Sequence, residues 1–162
     1  MRHSAFILAI LLLAAMLCSC SAVDTQNQVS FYYCVAEQDY SSTAGAIKAE
    51  VQSAKVDPAD YDTLLSQYMN GPKSSHLVSP YPDGCTIAEF SLDQSTAHII
   101  MDKSFASLSG VELTLACACL SLTVQNITGY ANVEIRAEDS LLDNKESITV
   151  DANKILLTDS PS

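Results

Sequence analysis

Past the N-terminal leader, few side chains have chemistry that reaches beyond packing: His76 and His98, Cys34, Cys85, Cys117 and Cys119, and the aspartates Asp57, Asp60 and Asp62. A hydrolase would need a nucleophile beside a base, and neither histidine lies in a recognisable nucleophile motif. Cys117 and Cys119 are two apart on what reads as a helix, so they point to different faces and cannot form the chelating pair of a C-x-x-C turn. Cys34 and Cys85 lie in or beside strands and could pair in an oxidising compartment. Four cysteines allow three connectivities, and the spacing selects none. The three aspartates lack the spaced oxygen donors and turn glycine of a dedicated calcium loop, so helix capping is the expected use of them. No catalytic residue, metal ligand or cofactor site is assigned.

One cysteine has a different role. Arg2 and His3 precede an uncharged apolar run over residues 5–17, shorter than the ~20 residues of a spanning helix and typical of an export signal. Leu17-Cys18-Ser19-Cys20 then resembles a bacterial lipobox, with an aliphatic residue at −3, a small residue at −1 and Cys20 as the lipid-modified residue. Cys18 does not fit, because Leu17 would stand where processing needs a small side chain. The expected organisation is a signal peptide over 1–19, a lipid-anchored linker over 20–28, one domain over 29–138, and an acidic extension over 139–162 that could supply an edge strand. Its expected location is the outer face of the cytoplasmic membrane. A net charge of −11 in 162 residues, with no Trp, argues against a phosphate-backbone or base-stacking partner, so no nucleic acid is expected.

The domain has to be built from the following elements. Residues 29–35 (VSFYYCV) form a strand with Val29, Phe31, Tyr33 and Val35 on one face. Residues 44–51 form a weaker strand with Ile47, Ala49 and Val51 together. A helix starts at Asp57-Pro58, carries the stripe Tyr61, Leu64, Leu65, Tyr68 and Met69, and stops at Asn70-Gly71-Pro72. After a Pro80-Tyr81-Pro82-Asp83-Gly84 turn comes a hairpin, with Ala88, Phe90 and Leu92 on one strand and Ala97, Ile99 and Met101 on the next. Ser107 or Ser109 caps a second helix over 111–125, apolar on nearly every face. Val133, Ile135 and Ala137 alternate on a half-buried strand. Residues 147–150 and 154–157 are two further β-like pieces. The class is α/β of the α+β type, two-layered, in the order ββαββαβ: a mixed sheet of about five strands with two helices packed on it.

The succession of VSFYYCV, LLSQYMNGP, the SPYPDG turn, FSLDQSTAHIIMDKSFASLSG and LTLACACLSLTVQNITGYANVEIRAED is similar to the GerMN domain family of sporulation and germination proteins. That family has a helix ending in L-x-x-L-x-x-G-P, a Pro-x-Gly turn, a strand ending in an acid before a Ser-x-x-Phe segment, and a last helix leading to a V-x-x-V-x-I strand. Here Ile100-Met101-Asp102 keeps the acid and changes its flanks. The resemblance covers about residues 29–138. It implies a lipid-tethered envelope module working through protein contacts, with an unidentified envelope protein as partner. The alternative is an envelope enzyme or a binder of small ligands or cell-wall material, which would need His98, Asp102 and a cysteine gathered in one cleft.

Overall fold

The computed structural model describes residues 27–36, 45–54 and 56–157. Among the described residues, seven strands make two sheets and two α-helices accompany them. β1 (Asn27–Val35), β2 (Ile47–Ala54) and the two-residue β3 (Leu77–Val78) form an antiparallel sheet ordered β2-β1-β3. β4 (Ile87–Leu92), β5 (Thr96–Met101), β6 (Asn132–Ala137) and β7 (Ile148–Asp151) form the other, ordered β4-β5-β6-β7. α1 (Tyr61–Met69) and α2 (Gly110–Thr128) complete the α+β fold. The strands expected from the pattern are divided between two sheets, and β3 adds to them. β7 is the edge strand of the acidic extension, whereas residues 154–157 are not a strand.

β4 and β5 are a tight antiparallel hairpin, whereas β5 and β6 are parallel. A parallel pair requires a long crossover, and a 3-10 turn (Lys103–Ser107) followed by α2 supplies it. α2 ends at Gly129, whose φ of 80° is the left-handed conformation that closes a helix. By length and composition α2 is apolar enough to cross a membrane. In this fold it touches β1 of one sheet and β6 and β7 of the other. Leu113, Ala116, Cys117, Leu120 and Val124 join the main core, and Cys119 and Leu122 pack against Cys34 and Ile47. A helix apolar all round has found two apolar surfaces.

α1 starts one turn later than the sequence suggests. Asp60 is its cap, accepting from the Thr63 N–H at 3.1 Å, while Asp57 accepts from the Ala59 N–H in the preceding turn. Leu64, Leu65 and Tyr68 are buried, each burial contributing about 1.5–3 kcal/mol. The Tyr68 ring lies 5.6 Å from Phe31 and 5.1 Å from Tyr33, which fixes α1 on β1.

Two strands differ from the expected facing. In β2 the inward residues after Ile47 are Gln52 and Ala54, and Val51 is exposed. Gln52 is buried because it is satisfied: it donates to Glu50 and accepts from Gln67 of α1 at 3.1 Å. In β4 the register shifts between Ile87 and Glu89. This bulge turns Ala88 outward and puts Ile87, Phe90 and Leu92 against the core.

Candidate binding groove and the carboxylates around it

Two of the strand edges that lack a neighbouring strand among the described residues, a length of β1 and the outer edge of β4, are treated differently. β3 covers β1 only at Cys34 and Val35. Further along the same strand the Ser30 N–H donates to Asn126 Oδ1 at 2.9 Å and the Tyr32 N–H to Thr123 Oγ1 at 3.0 Å, both on α2. The Tyr32 carbonyl accepts from the Tyr68 hydroxyl at 3.0 Å. Tyr68 in turn contacts the Tyr81 hydroxyl at 2.6 Å, while the Tyr81-to-Ala116 carbonyl distance is 3.4 Å. The shorter contacts select a chain in which Tyr81 donates to Tyr68 and Tyr68 donates to β1. Burial pushes both phenols well above their ordinary range, so they remain protonated donors.

β4 pairs with β5 on one side, and no described strand pairs with its other edge. Along that edge runs a groove of about 840 Å³. Residues 86–90 form one wall, and Asp62, Leu65, Ser66 and Met69 on one stripe of α1 form the other. Its end is closed by the 79–85 turn, where the Cys85 N–H bonds the Pro82 carbonyl at 3.0 Å and Gly84 takes φ 75°. The charged residues in the lining are Asp62, Asp83 and Glu89, all acidic. No described cation pairs with any of them.

Other carboxylates are committed to the fold. Asp102 caps the 3-10 turn through Ser104 and also accepts from the Thr86 backbone and hydroxyl, pinning the two ends of the β4–β5 hairpin together. Burial raises its pKa, but these donors outweigh it and hold it at about 2. Glu50 accepts from the Lys73 and Ser74 N–H groups at 3.0 and 2.7 Å, anchoring the loop after α1. His98 on β5 is held between Asp93 (Nε2, 2.8 Å) and Glu134 (Nδ1, 2.7 Å), and Arg136 engages the far oxygen of Glu134 at 2.7 Å. The Asp93 bond, then that of Glu134, raises the pKa of His98. With both ring nitrogens occupied, His98 has no free lone pair with which to act as a base towards Ser91, its cross-strand neighbour.

His98, Asp102 and a cysteine are therefore not gathered. Cys85 lies by Ser104 and Asp102, while His98 faces Asp93 and Glu134. Cys34 does not face Cys85. It packs against Cys119 in the smaller core cluster, and their hydrogen bond together with burial pushes the Cys119 thiol well up. Cys117 is raised to about 12 by burial. His76 is exposed ahead of β3. Among the described residues no three His, Cys, Asp or Glu side chains converge to hold a metal ion. Cys20 and the leader lie outside the described residues. The groove was missed in the sequence because two separated stretches, 62–71 and 79–90, build it. Its one advance signal was the acid of the Pro-Asp-Gly turn.

Two solved structures of the sporulation protein GerM from Bacillus subtilis match this chain with a TM-score of 0.54 and 12% identity. The first GerMN domain covers 76% of this chain and 95% of its own length. The tandem GerMN pair covers 77% of this chain, which spans 45% of the pair. No family model matches the chain, and no curated protein does either. At that identity the likeness establishes the fold: the described residues carry one domain with the fold of a GerMN domain.

Proposed function

We propose that this protein is a lipid-anchored binding module of the bacterial cell envelope, tethered by Cys20 outside the cytoplasmic membrane and working through protein–protein contact rather than catalysis. The observation that carries the reading is the β4 edge, left open beside an acid-lined groove, whereas the uncovered length of β1 is closed by side chains. The fold of a sporulation protein supports the same reading and suggests a sporulation-linked assembly as its setting. The side chains with catalytic potential support it too, since His98 and Asp102 are each engaged by neighbours that shape the backbone.

The test has two arms. In a bacterial host the full chain should take up an alkyne-tagged fatty acid and fractionate with membranes, Cys20→Ala should lose both properties, and Cys18→Ala should keep them. Cross-linking of the membrane-bound protein should then enrich a defined envelope protein that Cys20→Ala does not enrich. A lipidated protein that captures no saturable protein partner would overturn the reading in favour of a ligand binder.

A further inference from the structure

We propose that the groove between β4 and α1 receives an extended, lysine- or arginine-bearing segment of the partner, which adds to the four-stranded sheet as a fifth strand. This deepens the binding-module reading and rests on it. Residues 86–90 line the groove, β5 takes one edge of β4, and no described strand takes the other. A strand advances about 3.3 Å per residue, so this wall matches some five residues of an incoming chain. Main-chain pairing of that kind gives affinity, and alternate side chains give selectivity.

The lining supplies the alternation. Met69, Ile87 and Phe90, half-buried at the groove, offer an apolar strip to one set of side chains, and Asp62, Asp83 and Glu89 offer carboxylates to the other. With those three acids and no basic residue in the lining, an acidic segment would be repelled and a basic one attracted. The same argument disfavours a second copy of this chain, which carries a net charge of −11 and would bring the same acids to the contact. The bulge at Ala88 works in the same direction. A bent, charged edge resists flat pairing with an identical edge and leaves room for a short segment of a different chain.

The probe is a fluorescein-labelled ten-residue peptide alternating Lys and Val, titrated into the full chain in neutral detergent micelles and followed by anisotropy and backbone amide shifts. Three controls accompany it: the same peptide with two central Pro residues and equal charge, a Glu-Val version, and a Glu146→Lys variant that alters an exposed acid outside the groove lining. The Lys-Val peptide should bind and move the amides of residues 86–90. Asp83→Lys combined with Glu89→Lys should weaken it about tenfold or more, with circular dichroism unchanged. Glu146→Lys should leave it alone, and the Pro and Glu peptides should fail.

Equal binding of the Pro peptide would reduce the effect to charge alone and overturn the proposal. So would shifts centred on His98, or concentration-dependent dimerisation through the same amides. If the peptide fails while membrane cross-linking still enriches a partner, the module stands and this groove is not its site. If both fail, the module reading falls as well.

Discussion

β1 and β4 present the same problem, a row of backbone groups with no strand beside it, and the chain solves it once. Against β1 it places Thr123 and Asn126 from α2 and Tyr68 from α1, each bonded to a named backbone atom. Against β4 it places a helix at a distance, with a groove between and acids around it. An unpaired buried N–H costs about as much as a lost hydrogen bond, and the edge of β1 lies against two helices, partly buried at Tyr32. The edge of β4 opens to solvent, so leaving it unpaired costs the fold little. The difference separates side chains that complete the domain from those that are free to meet something else.

Breaking the closed edge should be the most expensive change. Tyr68→Phe removes the hydroxyl that serves both the Tyr32 carbonyl and Tyr81, and should cost about 1–3 kcal/mol in urea unfolding. Thr123→Val keeps the shape and orphans the Tyr32 N–H, costing about 1–2 kcal/mol. If either proves neutral, β1 is not held in the way described. Asn126→Ala is more exposed and should cost less than either, measured in the same way.

Asp102 is the intermediate case, since it fastens the ends of the hairpin to which β4 belongs. Asp102→Ala should cost about 1 kcal/mol at pH 7. Its carboxyl is held at about 2 in the folded protein against an ordinary 3.8. The stability it supplies is therefore complete above about pH 4 and lost as pH falls towards 2. Parent and variant should differ at pH 7 and converge near pH 2 in denaturant titrations.

His98 has the opposite sign. Its raised pKa means that its contribution is complete below the ordinary 6.5 and lost as pH rises through the folded value. Glu134→Gln should lower the imidazole pKa in an NMR titration and, at this part-buried pair, cost about 1 kcal/mol. The smallest effect belongs to the open edge. Glu89→Lys should leave the melting transition within about 0.5 kcal/mol of the parent; a larger loss would mean that Glu89 serves the fold and that the two edges are alike.

Much of this framework is legible in one dimension. The stripe Leu64, Leu65 and Tyr68, the alternation Ala97, Ile99 and Met101, and the alternation Val133, Ile135 and Ala137 all emerge as the buried faces of their elements. These are periodicities, and hydropathy shows them directly. What hydropathy conceals is a polar residue made at home by its partners. Gln52 faces inward because Glu50 and Gln67 satisfy it, which reverses the expected face of β2 and leaves Val51 outside. The bulge in β4 shifts parity by one residue, so Ala88 took a place that belongs to Ile87. Asp57 and Asp60 are both good caps three residues apart, and only the Thr63 N–H decides between them. The apolar character of α2 was plain, but that a sheet lies against each of its flanks was not, because nothing local records how strands divide into sheets. The groove belongs to the same class of facts: Asp62, Asp83 and Glu89 are ordinary surface acids until the chain brings them around one opening.

The hydroxyl chain from Tyr81 through Tyr68 to β1 also has an optical consequence. The sequence contains seven tyrosines and no tryptophan, so the near-ultraviolet spectrum of the protein is a tyrosine spectrum. Tyr81 stands in the turn that closes the groove, and its hydrogen bond runs to Tyr68. An occupant that displaces this turn must stretch or relax a buried phenol–phenol bond. The domain thus carries a built-in, label-free chromophore beside its open edge.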